Sequence, residues 1–166
     1  MQRIPLQFMI AILTACTAIS CLAGVEMPRS GKFDFNFCFA ADSNYTAFTD
    51  KAGLGSFTNV AAIHSRQPGG PFDLQGAHCF GYFSNVEGQY SESGYCEMQD
   101  TDGDKWIMKF DTGADAVSGS WKAVAGTGKY DGLAATGAYQ PLGNVPSAVA
   151  GKVARCNRNT GSYQMR

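Results

Sequence analysis

The chain has only two histidines, and its 13 basic side chains nearly balance its 14 acidic ones. It also has no long uninterrupted helical period outside its first residues. Each shortage removes a class of function. With so few histidines, and no Gly-x-Ser-x-Gly elbow or other nucleophile signature beside them, there is no serine-hydrolase machinery to assemble. A near-neutral charge leaves no electrostatic footprint for nucleic acid, and no basic amphipathic stretch marks a membrane surface. No close Cys-x-x-Cys spacing offers a zinc site, and nothing else calls for a metal or a cofactor.

The one sustained apolar run is Ile4–Leu13, which follows Arg3 and precedes small residues ending in Cys21-Leu22-Ala23. It is too short for a comfortable membrane span and has the layout of a secretory leader, with cleavage expected after Ala23. Leu13-Thr14-Ala15-Cys16 offers a rival, a lipoprotein signal anchored through Cys16, and Ala18-Ile19-Ser20-Cys21 is a poorer version at Cys21. Cutting after Ala23 leaves Cys38, Cys79, Cys96 and Cys156, an even set suited to an oxidising compartment, whereas lipidation at Cys16 strands Cys21. The expected product is residues 24–166, a single domain in the periplasm or secreted. Loss of Arg3 leaves 12 bases against 14 acids, a net charge of −2.

What the chain does have is glycine, 20 residues spread along its length, and short alternating segments. Phe33-Asp34-Phe35-Asn36-Phe37-Cys38-Phe39 repeats at period two, a strand with one buried face and Cys38 on the other. Leu54–Ile63 reads as a second strand. The Arg66–Pro71 stretch, rich in proline and glycine, must be a loop. Strands follow near 77–86, 89–99 and 104–110, then Ser118–Ala125, Tyr130–Tyr139, Val149–Cys156 and Gly161–Met165. Short strands at this spacing predict an all-β sandwich or barrel, and a single antiparallel sheet closed into a barrel of about eight strands accommodates them best.

Two turns, Glu87-Gly88 and Asp102-Gly103, permit a register. If Val86 faces Gln89, Cys79 falls opposite Cys96 at a non-hydrogen-bonded site, where Cα atoms approach to roughly 4.5 Å and a disulfide can form. Cys38–Cys156 follows by elimination and would link the first strand to one near the end of the chain. The same register sets His78 opposite Glu97. Carried through a two-residue Asp102-Gly103 turn, it aligns Glu97 with Met108, and Phe80 with Tyr95 and Phe110. One face then holds His78, Glu97, Met108 and the aromatic row, and the other holds Cys79, Cys96 and Lys109. Taking the aromatic face as the interior places a histidine and a carboxylate in an apolar lumen. There they could orient a ligand, act as acid and base, or form a structural hydrogen bond. Arg155 shares the inward parity of Val153. His64 reads as a surface residue at a strand end with no evident partner.

Two other motifs have plainer readings. Asp100, Asp102 and Asp104 suggest part of a calcium loop, but the glycine is one position early and Asp111 stands where the closing glutamate belongs, so a turn is expected. Gly126-Thr127-Gly128-Lys129 lacks the first glycine and the hydroxyl of a phosphate loop and reads as a corner between strands. Extended to Tyr130-Asp131-Gly132, that segment resembles the GGTGxF/YxG segment of allene oxide cyclases and dirigent proteins. Gly94-Tyr95-Cys96-Glu97 and Asp100–Lys105, with Trp121 after them, are similar to exported bacterial proteins of the allene-oxide-cyclase-like barrel class. The bacterial resemblance covers most of residues 24–166, and the plant one only the glycine segment. It implies an eight-stranded antiparallel barrel with an apolar interior. No segment matches the one that carries the cyclases' catalytic residues, so none is carried over.

The expected function is binding of a small apolar or amphipathic molecule in the lumen by His78, Phe80, Tyr95, Glu97, Met108, Phe110 and Arg155. The alternatives are a cofactor-free cyclase or isomerase using His78 and Glu97, and a filled barrel acting through its surface as an inhibitor or interaction protein. Oligomeric state is not legible.

Overall fold

A computed structural model describes residues 28–166 apart from 114 and 116. The leader and the Cys16 and Cys21 alternatives lie outside the described residues. Eight strands form one closed antiparallel barrel: β1 (Ser30–Ala47), β2 (Ala52–Ser65), β3 (Gln75–Val86), β4 (Gln89–Gln99), β5 (Lys105–Thr112), β6 (Gly119–Gly126), β7 (Ala134–Asn144) and β8 (Val153–Gln164). Each strand pairs with its sequence neighbour, and β8 closes on β1 with Cys38 opposite Cys156. No helix among the described residues is long and apolar enough to cross a membrane. The chain's two expected disulfides are both formed, Cys38–Cys156 and Cys79–Cys96. Both suit an oxidising compartment.

The segments expected at 149–156 and 161–165 are one strand, because the polar run Asn157–Thr160 continues the pleat, with Asn159 buried and Arg158 in solvent. The segment expected from Tyr130 begins at Ala134. A single 3₁₀ turn, Gly128–Tyr130, makes the corner before it.

The β3–β4 register is as read from the sequence, with Val86 facing Gln89, Cys79 facing Cys96 and His78 facing Glu97. The β4–β5 register differs by one residue. Thr101-Asp102-Gly103 forms a three-residue connection, with Gly103 at φ 89° and its N–H donating to the Asp100 carbonyl at 3.1 Å. This is the common alternative to a two-residue turn, a tight turn followed by a left-handed glycine. Cys96 therefore faces Met108, Tyr95 faces Lys109 and Gly94 faces Phe110.

The facing of β3 and β4 is also the reverse of the expectation, while Met108 and Phe110 of β5 point inward as expected. Cys79 and Cys96 point inward and are 1% and 2% exposed, whereas Phe80 is 55% exposed on the outer surface. The reason is volume. β1 sends Phe33, Phe35 and Phe37 into the core, and Trp106 and Trp121 join them. A small barrel crowded by these rings needs small groups on facing strands. Gly81 and Gly94 are two such seats: a Cβ there would stand 2.6 Å from the Phe57 ring and 2.7 Å from the Phe110 ring, respectively.

The two ends of the barrel differ. At one, the β2–β3 loop drives Phe72 inward, 5.1 Å from Trp106 and 5.6 Å from Tyr163 between ring centroids. Buried Gln75 ties this plug together, its Nε2 donating to the Tyr130 hydroxyl at 2.7 Å and its Oε1 accepting from Trp106 Nε1 at 3.0 Å. The amide thereby satisfies two buried polar groups that would otherwise destabilise the end. The plugged end directs attention to the other.

Candidate functional site

The opposite end is open and holds a cavity of about 230 Å³. Its walls follow from strand alternation: Phe37, Phe39 and Ala41 come from β1, Phe57 from β2, Met108 and Phe110 from β5, and Trp121 from β6. The Cys79–Cys96 disulfide also lines it. The lumen is therefore half filled, packed solid toward Phe72 and hollow toward the mouth.

Polar groups enter this apolar space from two strands in particular. On β4, Tyr90 and Glu92 share the inner face, and the Tyr90 hydroxyl donates to Glu92 Oε2 at 2.5 Å. Burial first, and then the Glu92 carboxylate, hold the Tyr90 phenol well above its ordinary pKa, while Arg155 acts on it in the opposite sense. Tyr90 stays protonated and serves as a donor. On β8, Arg155 and Asn157 face the cavity, with Arg155 Nε donating to Asn144 Oδ1 at 3.2 Å. Tyr139 and Thr112 share a hydroxyl hydrogen bond of 2.8 Å, and burial raises the Tyr139 pKa. Asn159 accepts from Trp121 Nε1 at 3.0 Å.

Two cavity amides stand apart. Asn59 Oδ1 and Asn157 Oδ1 are buried without a hydrogen-bond partner. An unmet acceptor in an apolar space costs about 1–3 kcal/mol, a cost that a bound donor would relieve.

The structure thus sorts the expected site residues into two sets. Met108, Phe110 and Arg155 line the cavity. His78, Phe80, Tyr95 and Glu97 stand on the outer surface, correcting their expected inward facing. There Phe80 stacks on Tyr95 at 6.1 Å, and Glu97 accepts from Lys105 Nζ at 2.8 Å, not from His78. His64 is exposed at a strand end but has a partner, with its Nδ1 2.8 Å from Asp73 Oδ1. Asp100 is spent on its turn, accepting from the N–H groups of Asp102 and Asp104, while Lys129 Nζ reaches its carboxylate at 2.7 Å.

Sequence reasoning missed Tyr90, Glu92, Asn59 and Asn157. The usable signal was the disulfide itself: paired cysteines are among the most buried residues. Counting from Cys96 by twos gives Gly94, Glu92 and Tyr90, the inner face of β4.

The fold is an eight-stranded closed antiparallel barrel, plugged at one end and hollow at the other. No family model matches the chain, and no curated protein matches it in sequence. Among solved structures, the pterocarpan synthase dirigent protein GePTS1 is similar over 94% of this chain and 100% of that chain, with a TM-score of 0.50 and 9% identity. At that identity the likeness is one of fold.

Proposed function

We propose that the protein is an exported binder of a small amphipathic molecule, held in the open half of the barrel. The observation that carries this reading is a hollow aromatic lumen with unpartnered Asn59 and Asn157 acceptors and the Arg155 guanidinium converging on it. A concave apolar space with a few placed polar groups is what noncovalent recognition requires. The volume lies just under the ~300–1,000 Å³ of typical ligand pockets, so the ligand is compact. Its ring or chain would lie against Phe57, Phe110 and Trp121, with donor groups toward the two asparagines and an acceptor or anionic group toward Arg155. The likeness to the pterocarpan synthase dirigent protein GePTS1, and the resemblance to exported allene-oxide-cyclase-like barrels, support a lumen that receives a small organic molecule.

The test uses 1-anilinonaphthalene-8-sulfonate, which joins an aromatic body to an anion, alongside native mass spectrometry of protein purified from its own host. Saturable binding of one dye per chain is expected. Arg155→Ala should weaken it about tenfold or more, the loss of one charge-assisted contact. Dye binding that survives filling of the cavity by Ser43→Trp sinks the reading.

A second reading is favoured by the half-buried Tyr90–Glu92 hydrogen bond. An inward carboxylate beside a protonated phenol could move a proton during a cofactor-free cyclisation or isomerisation, with the lumen holding the substrate in a reactive shape. Turnover retained in Glu92→Gln would exclude that role.

A further inference from the structure

Exposed apolar side chains gather at the open end. Tyr45 and Phe48 of the first hairpin, Val86 beside the β3–β4 turn, Val117 of the β5–β6 loop, Val149 of the β7–β8 connection and Val153 at the start of β8 all face solvent. Counting connections alone, the open end exposes Phe48, Val117, Val145 and Val149, and the three connections at the plugged end expose Leu74. Val117 and Val153 also line the cavity, so rim and lumen share side chains. β1 pairs with β8 only as far as Ala41 but with β2 as far as Ala47, which carries Phe48 past the β1–β8 seam on the hairpin tip.

Resting on the ligand-binding reading, we propose that this rim docks on an uncharged or zwitterionic lipid surface, from which the lumen takes its ligand. A compact apolar molecule is scarce in water and concentrated in such a layer, and an apolar rim around the cavity mouth gains by leaving water against it. Charge selects the type of surface. The mouth carries Asp42, Asp50, Glu87 and Asp115 against Lys51 and Lys152, and Lys152 Nζ is already 2.7 Å from Asp42 Oδ2. That acidic excess is repelled by an anionic leaflet. It also opposes a second copy docked mouth to mouth, which would set the same acidic loops against one another. Apolar contact with a phosphatidylcholine-like surface avoids both penalties.

Flotation with phosphatidylcholine vesicles tests this, using the chain from Gly24, which contains every paired strand from Ser30 to Gln164. The parent is expected to float with the vesicles, equally in low salt and in about 0.5 M salt, because burial of apolar surface is not screened. Phe48→Ser with Val149→Ser should lower partitioning about tenfold. Both positions are well exposed, at 66% and 54%, so the double variant should keep the parent's unfolding midpoint and its dye affinity in vesicle-free solution. Failure of the parent to float, undiminished flotation of the variant, or binding confined to phosphatidylglycerol vesicles at low salt would overturn the proposal. So would a dimer in sedimentation that the variant abolishes. If dye binding persists in any of these cases, only the docking inference fails; if the dye does not bind, the lumen reading fails with it.

Discussion

Phe72 is the ring on which closure of one barrel end depends, and replacing it separates two physical effects. The side chain is 2% exposed, with ring centroids 5.1 Å from Trp106, 5.4 Å from Phe33 and 5.6 Å from Tyr163. Truncation to alanine removes that packing and leaves a cavity the stiff sheet cannot fully collapse, a loss of about 3–5 kcal/mol. The backbone adds a second effect, because Phe72 sits at φ 62°. Any residue with a Cβ gives up roughly 1–2 kcal/mol there, and glycine does not. Glycine in turn loses about 0.5–1 kcal/mol more conformational entropy on folding. Phe72→Gly should therefore match the stability of Phe72→Ala or exceed it by up to about 1.5 kcal/mol, although it is the smaller residue. Urea unfolding followed by tryptophan fluorescence measures both variants, since Trp106 touches the site. An alanine variant within about 1 kcal/mol of the parent would refute the plug, and a glycine variant clearly below the alanine one would refute the strained backbone.

Three further outcomes follow from the same geometry. Asp73 anchors the plug loop: burial raises its pKa, but the N–H groups of Ser65, Gly69 and Leu74, together with His64, outweigh burial and hold it below the ordinary carboxylate value. A carboxyl lowered by folding stabilises above its unfolded pKa of about 3.9 and loses that contribution as pH falls through the folded value, so Asp73→Asn should cost about 1–3 kcal/mol at pH 7 and progressively less below about pH 4. A parallel offset between parent and variant from pH 7 to pH 2 would contradict this. The half-buried Cys38–Cys156 bridge should be reduced before the enclosed Cys79–Cys96 bridge when native protein is exposed to dithiothreitol and its thiols are mapped by mass spectrometry. Gly94→Val should destabilise by about 1–3 kcal/mol in thermal unfolding, because its Cβ would meet the Phe80 carbonyl at 2.5 Å and the Phe110 ring.

The fold was legible because period-two aromatics, glycine-rich turns and an even cysteine set all point to one short-stranded sheet. The Cys79–Cys96 pairing needed only the Glu87-Gly88 turn, where both residues take positive φ at 52° and 81°. The site was less legible for two reasons. Asp102-Gly103 is compatible with two- and three-residue connections, and a one-residue slip exchanges the faces of a strand. That slip separated Met108 and Phe110 from Cys96, with which they share the lumen. The second reason is that bulk does not decide facing in a narrow barrel. Phe80 and Tyr95 are bulky aromatic residues, yet the interior was already occupied by rings from β1, β5 and β6. Arg155 was placed correctly by parity with Val153, since both lie on β8 beyond any ambiguous turn.

The central claim is that ligand recognition lies on the cysteine face of β3 and β4, not on the histidine face. Titration with 1-anilinonaphthalene-8-sulfonate against one matched set of variants tests it directly. Ser43 lines the cavity mouth, so Ser43→Trp should fill the space and abolish saturable binding without lowering the unfolding midpoint. His78→Ala and Glu97→Gln, on the outer surface, should leave affinity within about twofold of the parent. Binding that persists in Ser43→Trp, or is lost in His78→Ala or Glu97→Gln with the barrel still folded, would contradict the account.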